Sequence, residues 1–159
     1  MGAEGVPKLP HEAVLSFEEI EELVRAAVSL GVRKVRLPGG APLVRRGIDA
    51  LVRRLRAIEG IRELAMTTNG ARLAEYAERL KSAGLDRLNG SLDTLDPEKY
   101  RKITRIGSLS DTLAGLDAAR SAGFTRIKLN AVLMGVVNPY FRPERFSISL
   151  MMGWKMSVA

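Results

Sequence analysis

Between residues 17 and 28, Phe17, Ile20, Leu23, Val24, Ala27 and Val28 recur at three- and four-residue intervals, the period of a helix with one apolar stripe. Ser16 and Glu19 make a capping-box pair ahead of it, and Glu18, Glu19, Glu21 and Glu22 suit the positive end of a helix dipole. The spacing predicts a helix over 18–30 that Gly31 terminates. The pattern then shortens, and residues 32–37 read as a strand, followed by a turn at Pro38-Gly39-Gly40-Ala41-Pro42. A second helix is expected near 46–58, with Ile48, Leu51, Val52, Leu55 and Ile58 inward and arginines outward.

This unit recurs along the chain. Gly60 precedes a strand at 63–67, after which Thr68-Asn69-Gly70 is expected to open a helix; Gly84 precedes a strand at 87–92, and Gly123 one at 126–132. The glycines at 31, 60, 84 and 123 are 29, 24 and 39 residues apart, the length of successive helix–strand units whose parallel strands need crossover helices. The fold class is α/β. Such units build either a doubly wound sheet or an arc of a (β/α) barrel, and four cannot close an eight-stranded barrel. In both, chemistry gathers in the loops after the strands' C-terminal ends. Residues 1–138 are expected to form one domain. From Asn138 the pattern stops, and 139–159, with neither a helical period nor a sustained alternation, read as a divergent, loosely attached tail.

Composition adds constraints. At 46% hydrophobic and 27% charged, the 159-residue chain is of ordinary globular type, and no apolar run approaches a membrane span. No basic-then-apolar leader opens the sequence, so a cytoplasmic location is the expectation. There is no cysteine, hence no disulfide, thiol nucleophile or thiolate metal site. A net charge of +7 favours anionic partners, but only 5% of residues are aromatic and the basic ones are scattered over helix faces, which argues against a stacking groove for nucleic acid.

Four sets of residues are candidates for chemistry. Gly39-Gly40 lets backbone N–H groups approach a ligand, or simply makes a tight turn. Lys34 and Arg36, two apart on a strand, share a face, either turned inward toward an anion or exposed at an edge. Lys128 and Asn130 repeat that arrangement, with a lysine between apolar neighbours suited to phosphate or carbonyl recognition. Asp93 and Asp96 could pair, although Asp96 before Pro97 reads better as a helix N-cap; His11, in a Pro-rich stretch, reads as a surface residue.

In order, Arg36-Leu37-Pro38-Gly39-Gly40-Ala41-Pro42-Leu43, Thr67-Thr68-Asn69-Gly70, Leu88-Asn89-Gly90-Ser91-Leu92-Asp93 and Lys128-Leu129-Asn130-Ala131-Val132 resemble the radical S-adenosylmethionine enzymes, and among them the GTP 3′,8-cyclase family of molybdenum-cofactor biosynthesis. The similarity runs from about residue 5 to 138 and corresponds to the N-terminal half of the family's proteins. It implies a partial, open (β/α) barrel of about four parallel strands with outer helices. It implies S-adenosylmethionine at Gly40 and Ser91, and GTP at Arg36, Thr67 and Lys128 with Lys34 assisting at the phosphates. In the family a [4Fe–4S] cluster cleaves S-adenosylmethionine to a radical that takes hydrogen from C3′ of GTP, and the new carbon radical attacks C8.

The chain departs from that pattern where the cluster is concerned. The family's C-x3-C-x2-C triad is absent, with Met1 falling just after the place of its third cysteine, and so is the C-terminal cysteine set. The family's Thr-Gly-Gly-Glu-Pro reads Pro38-Gly39-Gly40-Ala41-Pro42, which removes the carboxylate that would engage the amino group of S-adenosylmethionine. No catalytic residue, metal ligand or cluster is therefore expected in this chain. GTP is the expected small-molecule partner, with no membrane and no nucleic acid. The alternatives are a non-catalytic nucleotide-binding module and a basic αβ nucleic-acid-binding domain.

Overall fold

The computed structural model describes residues 14–38 and 42–132, and the backbone of 155–158. Gly40, His11 and the proposed boundary at 138 lie outside the described residues. Among the described residues, five α-helices and five strands follow one another in this order: α1 (Phe17–Ser29), β1 (Lys34–Leu37), α2 (Ile48–Arg56), β2 (Glu63–Thr68), α3 (Leu73–Ser82), β3 (Arg87–Ser91), α4 (Pro97–Thr104), α5 (Leu109–Ser121), β4 (Ile127–Ala131) and β5 (Lys155–Val158). The expected caps form: Ser16 and Glu19 bond reciprocally at α1, and the Asp96 carboxylate accepts from Glu98 and Lys99 N–H ahead of Pro97.

All five strands are parallel and neighbour one another in chain order, β1-β2-β3-β4-β5. An order that never reverses, with right-handed crossovers, places successive helices on one side of the sheet, as in a barrel wall and unlike a doubly wound sheet. The strand count exceeds the expected four because Lys155–Val158 pairs with β4, within a stretch whose hydropathy carries no strand signal.

The sheet's side-chain alternation therefore separates two environments. Leu64, Met66, Leu88, Ile127 and Leu129 point to one face and join Leu51, Leu55, Leu73, Leu80 and Leu116 of the helices in one core. The opposite face carries Lys34 and Arg36, Glu63, Ala65 and Thr67, Arg87, Asn89 and Ser91, and Lys128 and Asn130, aligned by the strand register. Core strands of an all-parallel sheet usually read as continuous apolar runs. These alternate, so one face is adapted to something other than packing.

α3 begins later than the sequence pattern suggests. Gly70 N–H donates to Thr68 Oγ1 at 3.1 Å and Ala71 N–H to Asn69 Oδ1 at 3.2 Å, while Gly70 adopts φ 80°. These side chains fold Thr68–Ala71 into a turn, and the helix starts only at Leu73.

Candidate functional site

The polar face is held from below by one carboxylate. Glu63 receives Arg87 Nη2 at 3.3 Å on one oxygen and Arg126 Nη2 at 3.1 Å on the other, so one acid ties β2, β3 and the lead-in to β4 together. On its helix side, Asp86 accepts from Arg56 Nη1 at 2.7 Å and from Leu64 N–H at 2.8 Å, closing the strands' N-terminal ends. Glu63 is the only carboxylate among the β1–β4 strand residues of this face, which otherwise carries Lys34, Arg36, Arg87 and Lys128. The surplus on these strands is positive.

Above this base, Thr67, Asn89 and Lys128 form one row across β2, β3 and β4, and Ser91 and Asn130 form the next row toward the rim. Thr67, Lys128 and Asn130 are partly buried, and Ser91 is exposed. Arg36 is on the same face, opposite Ala65, but it and Lys34 are exposed on the edge strand β1. Of the two readings open for that pair, the exposed edge is the one observed. Lys128 is likewise only partly desolvated, because its neighbours Ile127 and Leu129 point away into the core.

The four residues of Thr67-Thr68-Asn69-Gly70 divide their roles. Only Thr67 belongs to the polar face. Thr68 is buried on the helix side, and Asn69 offers its backbone carbonyl to Thr112 Oγ1 at 3.2 Å; Thr112 in turn bonds the Tyr100 hydroxyl at 2.7 Å. The loop is thus anchored to α4 and α5, which fixes where Thr67 stands. On the next loop, Asp93 accepts from Val132 N–H at 2.9 Å and Leu92 N–H donates to Asn130 O at 2.9 Å, tying the ends of β3 and β4 together. Asp93 and Asp96 are each engaged with backbone donors and do not act as a carboxylate pair.

Asn89 is the residue the sequence motifs contained without marking. It is 4% exposed at the centre of the face, and its only signal in sequence is the alternation Arg87, Asn89, Ser91. Glu63 was equally unmarked, since its two arginines come from other strands.

Residues 3–139 match the profile of the Radical SAM superfamily, and the chain belongs to that superfamily. Within it, the likeness is to the GTP 3′,8-cyclases. The chain is 59% identical over 132 residues to GTP 3′,8-cyclase 1 of Pseudomonas aeruginosa, covering 83% of this chain and 40% of that protein. It is 52% identical over 138 residues to the GTP 3′,8-cyclase of Peptoclostridium acidaminophilum, covering 87% of this chain and 42% of that protein. The chain thus spans about two fifths of the length of these curated relatives. Its fold matches the [FeFe]-hydrogenase maturase HydG at a TM-score of 0.68 and 18% identity, over 91% of this chain and 35% of that one. Methylornithine synthase matches at a TM-score of 0.63 and 19% identity, over 91% and 44%.

The [4Fe–4S] cluster implied by the superfamily needs thiolate ligands, and the sequence holds no cysteine. Among the described residues there is also no group of three His, Asp or Glu side chains able to hold a metal ion. The residues present do not fit the cluster.

Proposed function

We propose that this chain is the nucleotide-holding part of a GTP 3′,8-cyclase, working in the cytoplasm, with GTP and S-adenosylmethionine on the polar face of its sheet. The observation that carries this reading is the register. Arg36, Thr67, Ser91 and Lys128, taken from four separate motifs, fall on one face of one sheet. Arg36 on β1 and Lys128 on β4 are three strands apart, about 14 Å along the sheet, a span suited to an extended nucleoside triphosphate. Their cations would meet phosphate or base oxygens while Thr67 orients the ligand between them. Lys34, at the start of β1 and opposite Glu63, would assist the phosphates through its long-range charge and not by contact. Ser91, exposed at the end of β3, and Gly40, which lies outside the described residues, would hold S-adenosylmethionine. The chain contributes binding and orientation; with no thiolate it contributes no cluster ligand, and no redox step is assigned to it.

Calorimetric titration of GTP into the wild type, Arg36→Ala and Lys128→Ala tests the site. Both substitutions are expected to weaken binding. Lys128→Ala should cost more, roughly 1.5–3 kcal/mol, because a partly desolvated charge-assisted bond is worth more than an exposed one. GTP binding that is measurable and unchanged in both variants would place the nucleotide elsewhere. No helix among the described residues is long and apolar enough to cross a membrane.

A further inference from the structure

Two buried polar atoms on the sheet's polar face have no hydrogen-bond partner among the described residues: Asn89 Oδ1 and Arg87 Nε. Both belong to β3, two residues apart, so both lie on the face that carries Thr67 and Lys128. Buried acceptors and donors are almost always paired in native proteins, and an orphan calls for a partner that the described residues do not supply. The other end of the Asn89 amide is engaged: Nδ2 donates to Thr67 Oγ1 at 3.5 Å. That contact is at the outer limit of hydrogen-bond length and leaves the carbonyl oxygen without a partner among the described residues.

From this arrangement we infer that Asn89 is a ligand-contacting residue whose Oδ1 accepts a hydrogen bond from a sugar hydroxyl of the bound nucleotide. The inference rests on the nucleotide reading given above and assigns the part of the ligand that meets the centre of the face. A phosphate oxygen cannot be the partner, because it and Oδ1 are both acceptors. A base amine could donate to Oδ1 but would leave the Arg87 N–H unanswered. A sugar hydroxyl both donates and accepts, so it can satisfy Asn89 Oδ1 and still offer an acceptor to a neighbouring N–H donor. The cations then divide the ligand: Arg36 and Lys128 take the anionic or carbonyl oxygens, and Asn89 reads the sugar between them.

A sugar hydroxyl could come from the nucleoside triphosphate or from S-adenosylmethionine, which share that chemistry. The register favours the triphosphate. Asn89 is opposite Thr67 on one side and Lys128 on the other, both nucleotide positions, whereas Ser91 is one pleat nearer the rim.

The test compares the wild type with Asn89→Leu, a near-isostere that removes the orphan acceptor, and with Asn89→Ser, which shortens the side chain but keeps it polar. The free proteins are melted, and GTP, 2′-deoxy-GTP, 3′-deoxy-GTP, inosine triphosphate and S-adenosylmethionine are titrated by calorimetry. The expected result is an Asn89→Leu midpoint equal to or above the wild type, since an unpaired buried carbonyl is a cost the free chain carries. GTP should bind both variants roughly three- to tenfold more weakly. The wild type should bind one deoxy analogue weaker than GTP by a similar factor, and the variants should no longer distinguish it.

Three results would overturn the inference. One is a midpoint several degrees lower in both variants with GTP affinity retained, which would make Asn89 structural. Another is discrimination against the deoxy analogues that survives in the variants. The third is a lost preference seen only with inosine triphosphate or only with S-adenosylmethionine, which would assign the carbonyl to a base amine or to the other ligand. A wild type that binds no GTP removes the nucleotide reading, and this inference with it. A wild type that binds, beside variants that discriminate equally well, removes only the role of Asn89.

Discussion

At the scale of single residues, the sheet's polar face separates charge that holds the fold from charge available to a ligand. Glu63 is four residues before Thr67 on β2, about 13 Å at strand rise and beyond the screening length at physiological salt. Its side chain is largely buried between Arg87 and Arg126, whose own side chains are more exposed. Glu63→Gln should therefore lower stability by about 1–2 kcal/mol, less than a fully buried pair would lose. GTP affinity should stay as in the wild type. Urea unfolding and a GTP titration on one preparation check both halves; a clear change in affinity would mean that the ligand reaches the base of the sheet. The two-residue spacings Lys34/Arg36 and Lys128/Asn130 were legible in the sequence because period two alone assigns a strand face. The Glu63 cluster was not, because its partners come from β3 and the approach to β4, and pairing register is a tertiary property. Asn89 was missed for a related reason: a lone polar residue in a strand gains meaning only when its neighbours across two ladders are known.

At the scale of elements, the C-terminal ends of the helices before the strands followed the sequence and helix contacts did not. Gly31, Gly60, Gly84 and Gly123 all have φ between 88° and 101°, which is why glycine marks each helix-to-strand passage. Gly84 is also packed: a Cβ there would come within 2.6 Å of the Arg56 side chain that anchors Asp86. Gly115, inside α5, carried no such signal. A Cβ on it would stand 2.3 Å from the Gly70 carbonyl oxygen and 3.0 Å from Leu73 Cβ, so it permits α5 to pack closely on α3 and the loop that positions Thr67. Gly115→Ala is expected to cost about 2–3 kcal/mol because backbone blocks the methyl, despite alanine's better helix propensity, and to lower the melting midpoint by roughly 5–10 °C. An unchanged midpoint would show that the two helices can separate freely. The contact of α1 with α2 responds to pH instead. The Arg54 guanidinium holds the exposed Glu18 carboxyl below its ordinary value of 4.5, chiefly through their hydrogen bond. A lowered native pKa contributes stability that is present above the unfolded value and is lost as pH falls through the native one. The small difference in urea midpoint between wild type and Glu18→Gln should therefore be present at neutral pH and vanish in acid below the carboxylate range. A difference constant with pH would rule out the ion pair as its source.

For the whole molecule, the sequential strand order is the decisive property. It gathers the helices on one side, leaves the other side to polar residues, and so converts four separated motifs into one surface. The helix–glycine–strand repeat made the parallel α/β character legible, but repeats alone do not order strands, and β5 left no mark in hydropathy because its four residues gain their place by pairing with β4. The same surface separates binding from redox chemistry. The nucleotide contacts proposed for it are cations, a hydroxyl and an amide, none of which needs iron, while the chain has no thiolate to hold a cluster. Anaerobic reconstitution of the 159-residue chain with iron and sulfide should leave no stoichiometric cluster after desalting, read by metal and sulfide analysis and by the absence of charge-transfer absorption. GTP affinity should be equal before reconstitution, after it and after treatment with an iron chelator. About one cluster per chain would show that oxygen or nitrogen donors substitute for the missing thiolates. GTP binding that appears only with iron would show that the polar face is not the nucleotide's principal support, since the Arg36 and Lys128 contacts should form whether or not a metal is present.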